Sequence, residues 1–324
     1  MATTRLGSTQ DDVRPPKGPG MILMGGGTDV DSAFVWAHDV IAGDPQTKAG
    51  DVLVIRATGA DGYDAYLNGL AMFSSVQTLV IPRVISTADL AIAAKLVDRA
   101  ELIFFAGGNQ ADYVAWKDSE LMKAVQRVYQ RGGVIGGTSA GLAIMGPFVF
   151  DAVSAGTASV TTGTATRDPF DPAISFTRGM LNVPFLKNLV TDSHFRQRER
   201  FGRLATFMAR QFADGAISAP DLVTGLGVDE ATAVLLDKNG KGVLAPGSTG
   251  AAYVIKSASA VRIVEGQSFL SNTLDVIRLD AAEQYYDFVQ ACGTGARYNF
   301  TVDGANLYPM DAPYTVSASP GTCP

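Results

Sequence analysis

A serine set between glycines is the residue of this sequence best placed to do chemistry. Ser139 lies in Gly137-Thr138-Ser139-Ala140-Gly141, a Gly-x-Ser-x-Gly pattern between the apolar pair Val134-Ile135 and the apolar run Leu142–Met145. A strand before this pattern and a helix after it make a sharp turn, which only small neighbours allow and which leaves the serine oxygen free above a sheet. The pattern predicts Ser139 as a nucleophile, with the backbone N–H of Ala140 directed at a developing oxyanion. The alternative is an ordinary strand-to-helix turn without chemistry.

A serine hydroxyl needs a general base at neutral pH, and the sequence offers two histidines. His38 lies in the otherwise apolar segment 34–39, which predicts a role in packing or in a surface hydrogen bond. His194 follows a short apolar segment and precedes a basic one, so it falls where the loops at a sheet edge gather. We therefore favour His194 as the base, the alternative being a histidine that only caps a helix.

A carboxylate is expected to orient the imidazole of this base. The candidates are Asp192, Glu199, Asp229 and Glu230. Asp192 is only two residues from His194 and would point away from it in an extended segment. Glu230 ends a strand-like segment whose glycines permit a close approach, so spacing alone favours Glu230 narrowly. The resulting chain order is Ser, His, Glu.

The elements that must position these residues alternate regularly in the first half of the chain. Strands are predicted at Met21–Met24, Asp51–Ile55, Val76–Val84, Leu102–Phe105 and Val134-Ile135, with helices at Asp31–Ile41, around Tyr63, Tyr66 and Leu70, at Leu90–Val97 and at Leu121–Tyr129. Continuous apolar strands alternating with helices are typical of an α/β fold, a parallel sheet with helices on both faces that make three layers. The glycine-rich turns at 25–27, 107–108 and 136–141 should gather at the carboxyl edge of this sheet, where ligands bind.

The second half is less regular. A long loop is predicted over 146–172, a short strand at Leu189-Val190, a basic helix over Phe195–Phe212 and a strand pair over Thr224–Leu236, with antiparallel additions at Ala252–Ile255 and Ala260–Val264. No linker composition separates the two halves. We expect a flexible leader over 1–19, one domain over 20–280, and a C-terminal extension of that domain over 281–324.

Composition excludes several classes of protein. The 324 residues are 47% hydrophobic and 18% charged, which is unlike a disordered chain, and the net charge of −6 provides no basic surface for nucleic acid. No apolar run reaches the length of a membrane span, and the first residues lack the apolar core of a signal peptide, although a removed signal would leave such a start. Cys292 and Cys323 are either two free thiols or a disulfide, which would indicate a secreted or periplasmic protein rather than a cytoplasmic one.

Four motifs in one order carry a resemblance to a known family. They are Gly107-Gly108-Asn109-Gln110, the turn 136–141, the run from Asp192 to Arg203, and Gly227-Val228-Asp229-Glu230. Together, over about residues 20–255, they resemble the cyanophycinase branch of the cyanophycinase and dipeptidase E serine peptidases. The resemblance implies a fold similar to class I glutamine amidotransferase domains. It also implies a serine-type peptidase that hydrolyses β-aspartyl linkages, converting cyanophycin to β-Asp-Arg dipeptides through an acyl-enzyme.

The same resemblance assigns roles to individual residues. Ser139 matches the nucleophile, His194 the base and Glu230 the orienting acid, while Gly108 matches the second oxyanion N–H beside Ala140. Residues that match the substrate pocket are Gln110, Asp192, Arg198, Arg200 and Arg203. A helix starting at Phe195 would not turn all the arginines toward one pocket, so we expect Arg198 and Arg200 near the site and leave Arg203 open. Ser193 stands where the family often has Gln, which puts the contact to the arginyl side in doubt.

Three other functions stay open on the sequence. The first is an aspartyl or isoaspartyl dipeptidase with the same chemistry, and the second a non-catalytic relative that acts as a binding module. The third is a dinucleotide loop at Gly25-Gly26-Gly27 with Asp29, which lacks the full Gly-x-Gly-x-x-Gly pattern. We expect no cofactor and no metal, because two histidines and two distant cysteines are poor material for a zinc site. The resemblance implies a peptide substrate with aspartyl residues and suggests a homodimer, and the composition leads us to expect no nucleic acid or membrane partner.

Overall fold

The computed structural model describes residues 2–156, 160–258, 261–270, 272–304, 306–308 and 313–323. Its strands are β1 (Leu6–Gly7), β2 (Gly20–Met24), β3 (Asp51–Arg56), β4 (Ser75–Val80), β5 (Leu102–Phe105), β6 (Val134–Thr138), β7 (Phe148–Phe150), β8 (Phe176–Arg178), β9 (Leu189–Asp192), β10 (Thr224–Val228), β11 (Ala233–Leu236), β12 (Lys241–Leu244), β13 (Ala252–Ser257), β14 (Asn272–Leu279), β15 (Tyr285–Asp287), β16 (Cys292–Gly293), β17 (Ala296–Asp303) and β18 (Asn306–Tyr308). Its α-helices are α1 (Asp31–Ala42), α2 (Asp64–Gly69), α3 (Thr87–Val97), α4 (Gln110–Val114), α5 (Glu120–Gln130), α6 (Ala140–Ala143), α7 (Thr162–Arg167) and α8 (Phe201–Ala213). Short 3₁₀ helices cover Pro184–Leu186 and Pro220–Leu222.

The first sheet has the strand order β1-β4-β3-β5-β6-β2-β11-β12-β15-β16. Strands β4, β3, β5, β6 and β2 are parallel to one another, and the strands outside them add antiparallel. Helix α1 covers one face, where Phe34 belongs to the same buried apolar cluster as Ile22 and Val54, and α5 covers the other, where Val125 belongs to the same cluster as Leu23. The predicted three-layer α/β fold is therefore confirmed.

The second sheet has the order β18-β17-β14-β13-β10-β9-β7-β8. Its strands β7, β9 and β10 are parallel, while β13, β14, β17 and β18 add antiparallel. Helix α8 packs on this sheet through Leu204, Phe207 and Met208. The antiparallel additions expected in the C-terminal half are thus present, and they extend both sheets.

Several predicted boundaries are wrong. The strand expected to reach Val84 ends at Val80, two residues before Pro82, which lacks the N–H that a strand needs. The long loop over 146–172 contains β7 and α7. The basic helix begins at Phe201, because the backbone of His194 is left-handed and the chain turns before the helix starts.

Two predictions about strand pairing also need correction. The pair expected over Thr224–Leu236 consists of two strands in different sheets, since β10 pairs with β9 and β13 whereas β11 pairs with β2 and β12. In the strand expected at Ala260–Val264, Ala260 lies outside the described residues and 261–264 form no strand. Ala252–Ile255 does form an antiparallel strand, as part of β13.

The leader and the C-terminal extension both join the sheets. Within the leader, Leu6–Gly7 pairs with β4 and Arg5 Nη2 lies 2.9 Å from Asp51 Oδ1. The extension contributes β15 and β16 to the first sheet and β17 and β18 to the second. The domain boundaries at 19 and 280 stay a prediction.

Cys292 and Cys323 form a disulfide, with Cα atoms 5.2 Å apart and a sequence separation of 31. The bridge, rather than two free thiols, is the interpretation that the structure supports. Among the described residues, none of the helices has the length and apolar character needed to cross a bilayer.

Glu101 is a buried carboxyl group at the amino edge of the first sheet. One carboxylate oxygen accepts the backbone N–H of Asp51 at 2.8 Å. Burial, assisted by the charge of Asp51, raises the pKa of Glu101 to about 7. The folded protein therefore holds a proton on this group at pH values where the unfolded chain has lost it.

Replacing Glu101 by Gln is expected to flatten the pH dependence of stability between about pH 5 and 8. Because the pKa of Glu101 is raised in the folded state, its contribution to the free energy of unfolding is complete below the ordinary carboxyl pKa. That contribution is lost as pH rises through about 7. The total fall is on the order of 3 kcal/mol. Urea unfolding at several pH values measures it, with the exposed Glu265→Gln as control. A fall in Glu101→Gln as steep as in the unmodified protein would contradict the assignment.

Candidate active site

Ser139 stands at a sharp turn between β6 and α6. Its backbone has φ 54° and ψ −111°, a strained conformation for a residue with a side chain. Its N–H donates to the carbonyl of Met24 at 3.1 Å, which fixes the turn against β2. A Cβ on Gly141 would lie 2.1 Å from the carbonyl oxygen of Phe105, so only glycine fits there. The strained turn predicted from the sequence is therefore present.

Ser139, His194 and Glu230 form a continuous chain of hydrogen bonds. Ser139 Oγ lies 2.7 Å from His194 Nε2, and His194 Nδ1 lies 2.6 Å from Glu230 Oε1. His194 follows β9 of the second sheet, and its backbone N–H donates at 2.7 Å to the carbonyl of Gly25, which directly follows β2 of the first sheet. The arrangement lets the imidazole accept the serine proton while its other nitrogen donates to the carboxylate.

The other candidates for these two positions have different partners. His38 is buried in α1, where its Nε2 lies 2.8 Å from the carbonyl oxygen of Thr47. Asp229 accepts the backbone N–H groups of Arg196 and Ala251 at 2.9 and 3.0 Å. Asp192 contacts arginines, as described below, so Glu230 is the one of the four candidate carboxylates within hydrogen-bond distance of the imidazole in the described contacts.

The surroundings of His194 favour its neutral form. Burial lowers the pKa of His194, and the positive charges of Arg198 and Arg200 lower it further, while the hydrogen bond to Glu230 opposes the shift. A neutral imidazole can accept a proton at Nε2, which is the state that a general base needs at neutral pH.

Two backbone segments border the serine oxygen. Gly108 and Ala140 both line the cavity that contains Ser139, and a Cβ at the adjacent Gly107 would lie 3.6 Å from the Cβ of Ser139. Gly108 has φ 154°. The structure thus brings the two predicted oxyanion segments beside the nucleophile, and their role as donors is taken up below.

A cavity of about 240 Å³ opens beside Ser139 and holds the predicted pocket residues. Its wall comprises Gly108, Asn109, Gln110, Ser139, Ala140, Ala143, Phe150, Ala152, Gly156, Val160, Thr191, Asp192, Ser193, His194, Arg198, Arg200 and Arg203. All three arginines reach one cavity because the helix starts at Phe201, so the helical geometry that left Arg203 open does not apply.

Asp192 binds two of these arginines in the cavity wall. Its carboxylate pairs with Arg203 through two hydrogen bonds, one of them 2.8 Å from Nε to Oδ2, and with Arg200 Nη1 at 3.2 Å. Arg200 also donates to the carbonyl of Ser193 at 2.8 Å, and burial lowers its pKa to about 10. Arg198 lines the same cavity, and among the described contacts its guanidinium has no carboxylate partner.

Sequence reasoning missed the aromatic residues that hold Arg203. Its guanidinium lies 5.3 Å from the ring centroids of both Phe150 and Phe207. Phe150 also accepts a hydrogen bond at its carbonyl from Gln110 Nε2 at 3.3 Å. Phe150 falls in the segment predicted as a loop, and the signal that could have revealed it is the short apolar run Phe148–Phe150.

The glycine loop after β2 packs against the same imidazole. Gly26 has φ 101°, and a Cβ there would lie 2.4 Å from His194 Cε1, while its carbonyl accepts the N–H of Ala231 at 2.8 Å. A Cβ at Gly27 would lie 3.0 Å from that of Glu230. These glycines therefore make room for His194 and Glu230, which accounts for them without a dinucleotide.

A family model for peptidase family S51 matches residues 72–241, which include the turn of Ser139 and the segments of His194 and Glu230. The chain belongs to peptidase family S51. It is accordingly a serine-type peptidase, as the sequence resemblance implied.

Curated relatives are more distant. A cyanophycinase of Geminocystis herdmanii is 25% identical over 207 residues, 63% of this chain and 64% of the relative. A cyanophycinase of Trichormus variabilis is 30% identical over 142 residues, 43% of this chain and 40% of the relative. The chain thus covers less than two thirds of either relative.

Two solved structures show weak overall similarity. A peptidase from an acI-B1 Actinobacterium matches 79% of this chain and 98% of its own, with 16% identity and a TM-score of 0.49. A Peptidase E protein of Listeria monocytogenes matches 68% and 95%, with 15% identity and a TM-score of 0.41.

Replacing Gly26 by Ala is expected to slow the reaction of Ser139 with a fluorophosphonate on the order of a hundredfold, because the new Cβ displaces the His194 ring. The rate of covalent labelling, followed by mass spectrometry, measures the effect. Gly247→Ala is the matched control, since Gly247 also has a positive φ, of 84°, and a Cβ there meets no atom within 4 Å. Equal labelling rates in Gly26→Ala and Gly247→Ala would refute the packing argument.

Proposed function

We propose that this S51 peptidase cleaves amide bonds at aspartyl units through an acyl-enzyme on Ser139, in the manner of a cyanophycinase. The observation that carries the proposal is the hydrogen-bond chain from Ser139 through His194 to Glu230, which opens on a cavity lined by arginines. In this proposal Ser139 is the nucleophile, His194 the base and Glu230 the acid that orients the imidazole.

The chemistry follows from the positions of the atoms. Ser139 Oγ forms a bond to the aspartyl carbonyl carbon as its proton passes to His194 Nε2. The N–H groups of Gly108 and Ala140 stabilise the oxyanion, a contribution of about 3–4 kcal/mol per well-placed donor. The tetrahedral intermediate expels the amine, which takes the proton from His194, and water then releases the acyl group by the reverse use of the same groups. Glu230 stabilises the imidazolium that forms between these steps.

The cavity supports a substrate with a carboxylate near the scissile bond. Arg200 and Arg203 already pair with Asp192, so they shape the wall, whereas the guanidinium of Arg198 is available for an anion. A guanidinium grips a carboxylate with two parallel hydrogen bonds. A cavity of about 240 Å³ suits a single aspartyl or β-aspartyl-arginine unit held beside Ser139. The relatives named cyanophycinase support cyanophycin as the polymer that supplies this unit.

An aspartyl dipeptidase is the second candidate, because the same cavity would accept the end of a short peptide. Ser193 contacts Arg200 with both its carbonyl and its hydroxyl, and its side chain extends less far into the cavity than a glutamine side chain would. The disulfide Cys292–Cys323 supports an oxidising compartment, secreted or periplasmic, for either activity.

Ser139→Ala is expected to lower hydrolysis by about ten-thousandfold or more while the protein still folds, because no other group takes over the nucleophile's role. A panel of cyanophycin, β-Asp-Arg and Asp-Leu, with products identified by mass spectrometry, measures the activity and separates polymer from dipeptide cleavage. The exposed Ser8→Ala is the control. Full activity in a folded Ser139→Ala would eliminate the mechanism.

The acidic limb of kcat/KM is expected to lie below the ordinary histidine pKa of about 6.5. Burial lowers the pKa of His194, so the base stays neutral and active to a lower pH than a free imidazole, and activity falls only once His194 is protonated. A pH–rate profile measures the limb, and His38→Gln should leave it in place. If the acidic limb moved in His38→Gln, His38 rather than His194 would be the group whose titration controls activity, and the assignment of His194 as the base would be wrong.

A further inference from the structure

The C-terminal segment 313–323 packs beside the residue that follows His194. Phe195 is fully buried, and its ring contacts Phe201, Tyr253 and Tyr314 with centroid distances of 5.5, 5.2 and 5.9 Å. Tyr314 in turn contacts Phe201 and Tyr253 at 6.2 and 5.7 Å. The four rings form one aromatic cluster, which Tyr314 links to the C-terminal segment.

This cluster bears on the backbone of His194. His194 has φ 47°, a left-handed conformation that a residue with a side chain keeps only where its neighbours enforce it. The neighbours that do so here include Phe195, whose N–H donates to the carbonyl of Val228 at 3.1 Å. The ring of Phe195 lies directly on Gly227, where a Cβ would come within 2.5 Å of it. The position of the imidazole therefore depends on the packing of the Phe195 ring and on the backbone hydrogen bond of Phe195.

Tyr314 is fastened from several sides. Its hydroxyl oxygen accepts the N–H of Phe201, the first residue of α8, at 3.4 Å. Arg278 Nη1 donates to the carbonyls of Tyr314 and Val316, each at 3.1 Å. Further along, Gly321 donates its N–H to the carbonyl of Gly295 at 2.7 Å. The disulfide Cys292–Cys323 ties the end of this segment to β16.

We propose that Tyr314 is a positioning residue for His194, and that the Cys292–Cys323 disulfide fastens the segment that carries it. The proposal rests on the proposed role of His194 as base. Tyr314 touches neither the cavity nor the imidazole in the described contacts, so it acts through the contacts of its ring with Phe195 and Phe201. A segment outside the matched residues 72–241 would thus set the geometry of the active site.

The test measures the imidazole itself. With two histidines in the sequence, NMR of protein labelled with ¹⁵N-histidine resolves the titration of His194, and His38→Gln assigns it. In Tyr314→Leu we expect the pKa of His194 to rise toward its ordinary value, because the loosened imidazole gains solvent while Glu230, Arg198 and Arg200 remain. We expect kcat to fall about tenfold or more, with KM little changed.

Two variants serve as controls. Tyr314→Phe keeps the ring, so kcat and the His194 titration should stay near those of the unmodified protein. Tyr129→Leu removes a buried tyrosine of α5, which covers the first sheet away from the C-terminal segment, so stability should fall while the His194 titration does not move. A folded Tyr314→Leu with unchanged His194 pKa and kcat overturns the proposal.

If Tyr314→Leu does not fold, the double variant Cys292→Ser/Cys323→Ser decides the question. A raised His194 pKa with a lowered kcat supports the proposal, and no change in either overturns it. Failure of the proposed function is a separate result, because a protein inactive on every substrate and toward fluorophosphonate still gives the NMR titration.

Discussion

The hydrogen bond between Ser139 and His194 joins two sheets, and the rest of the site depends on it. Ser139 follows β6 of the first sheet, His194 follows β9 of the second, and Glu230 lies where the chain passes from β10 back to β11. A distance of 2.7 Å between atoms that follow strands of different sheets requires the carboxyl edges of the two sheets to be held in a fixed relative position. Backbone hydrogen bonds from the N–H of His194 to the carbonyl of Gly25 and from the N–H of Ala231 to the carbonyl of Gly26 hold the two edges together close to the reacting atoms.

Charge burial is the second constraint on the site. Asp192, Arg200 and Arg203 are all largely buried, and each would be costly to bury alone. Their mutual hydrogen bonds provide partners for the buried charges, and the rings of Phe150 and Phe207, which stack on each other, both lie near the Arg203 guanidinium. Among the residues that the structure describes, Arg198 is the one arginine of this wall without a carboxylate partner, so its guanidinium is the principal group for binding an anion.

The features predicted correctly from the sequence are those encoded locally. The parallel strands carry continuous apolar runs, and the turn at Ser139 needs small residues at fixed offsets, so both are visible in a short window. The sequence predicts a helix from Phe195 because Phe195 and Arg196 suit one. The contact between Phe195 and Gly227, which holds Phe195 outside α8, joins residues that are distant in sequence and so is not visible in a short window. The pairing of β10 and β11 failed for the same reason, since the choice of partner strand is made by packing and not by pattern. Glu230 was favoured only narrowly, because spacing does not fix where a carboxylate lies relative to a ring.

The order in which the strands are used has a consequence for how the molecule comes apart. After β6 the chain enters the second sheet at β7, returns to the first at β11, and then alternates at β13, β15 and β17. Neither sheet is therefore a contiguous stretch of polypeptide, and a nick between the two would not release a self-contained half. Because the chain passes repeatedly between the two sheets, unfolding strands of one sheet pulls on the strands of the other. The two sheets should therefore unfold together as a single cooperative unit.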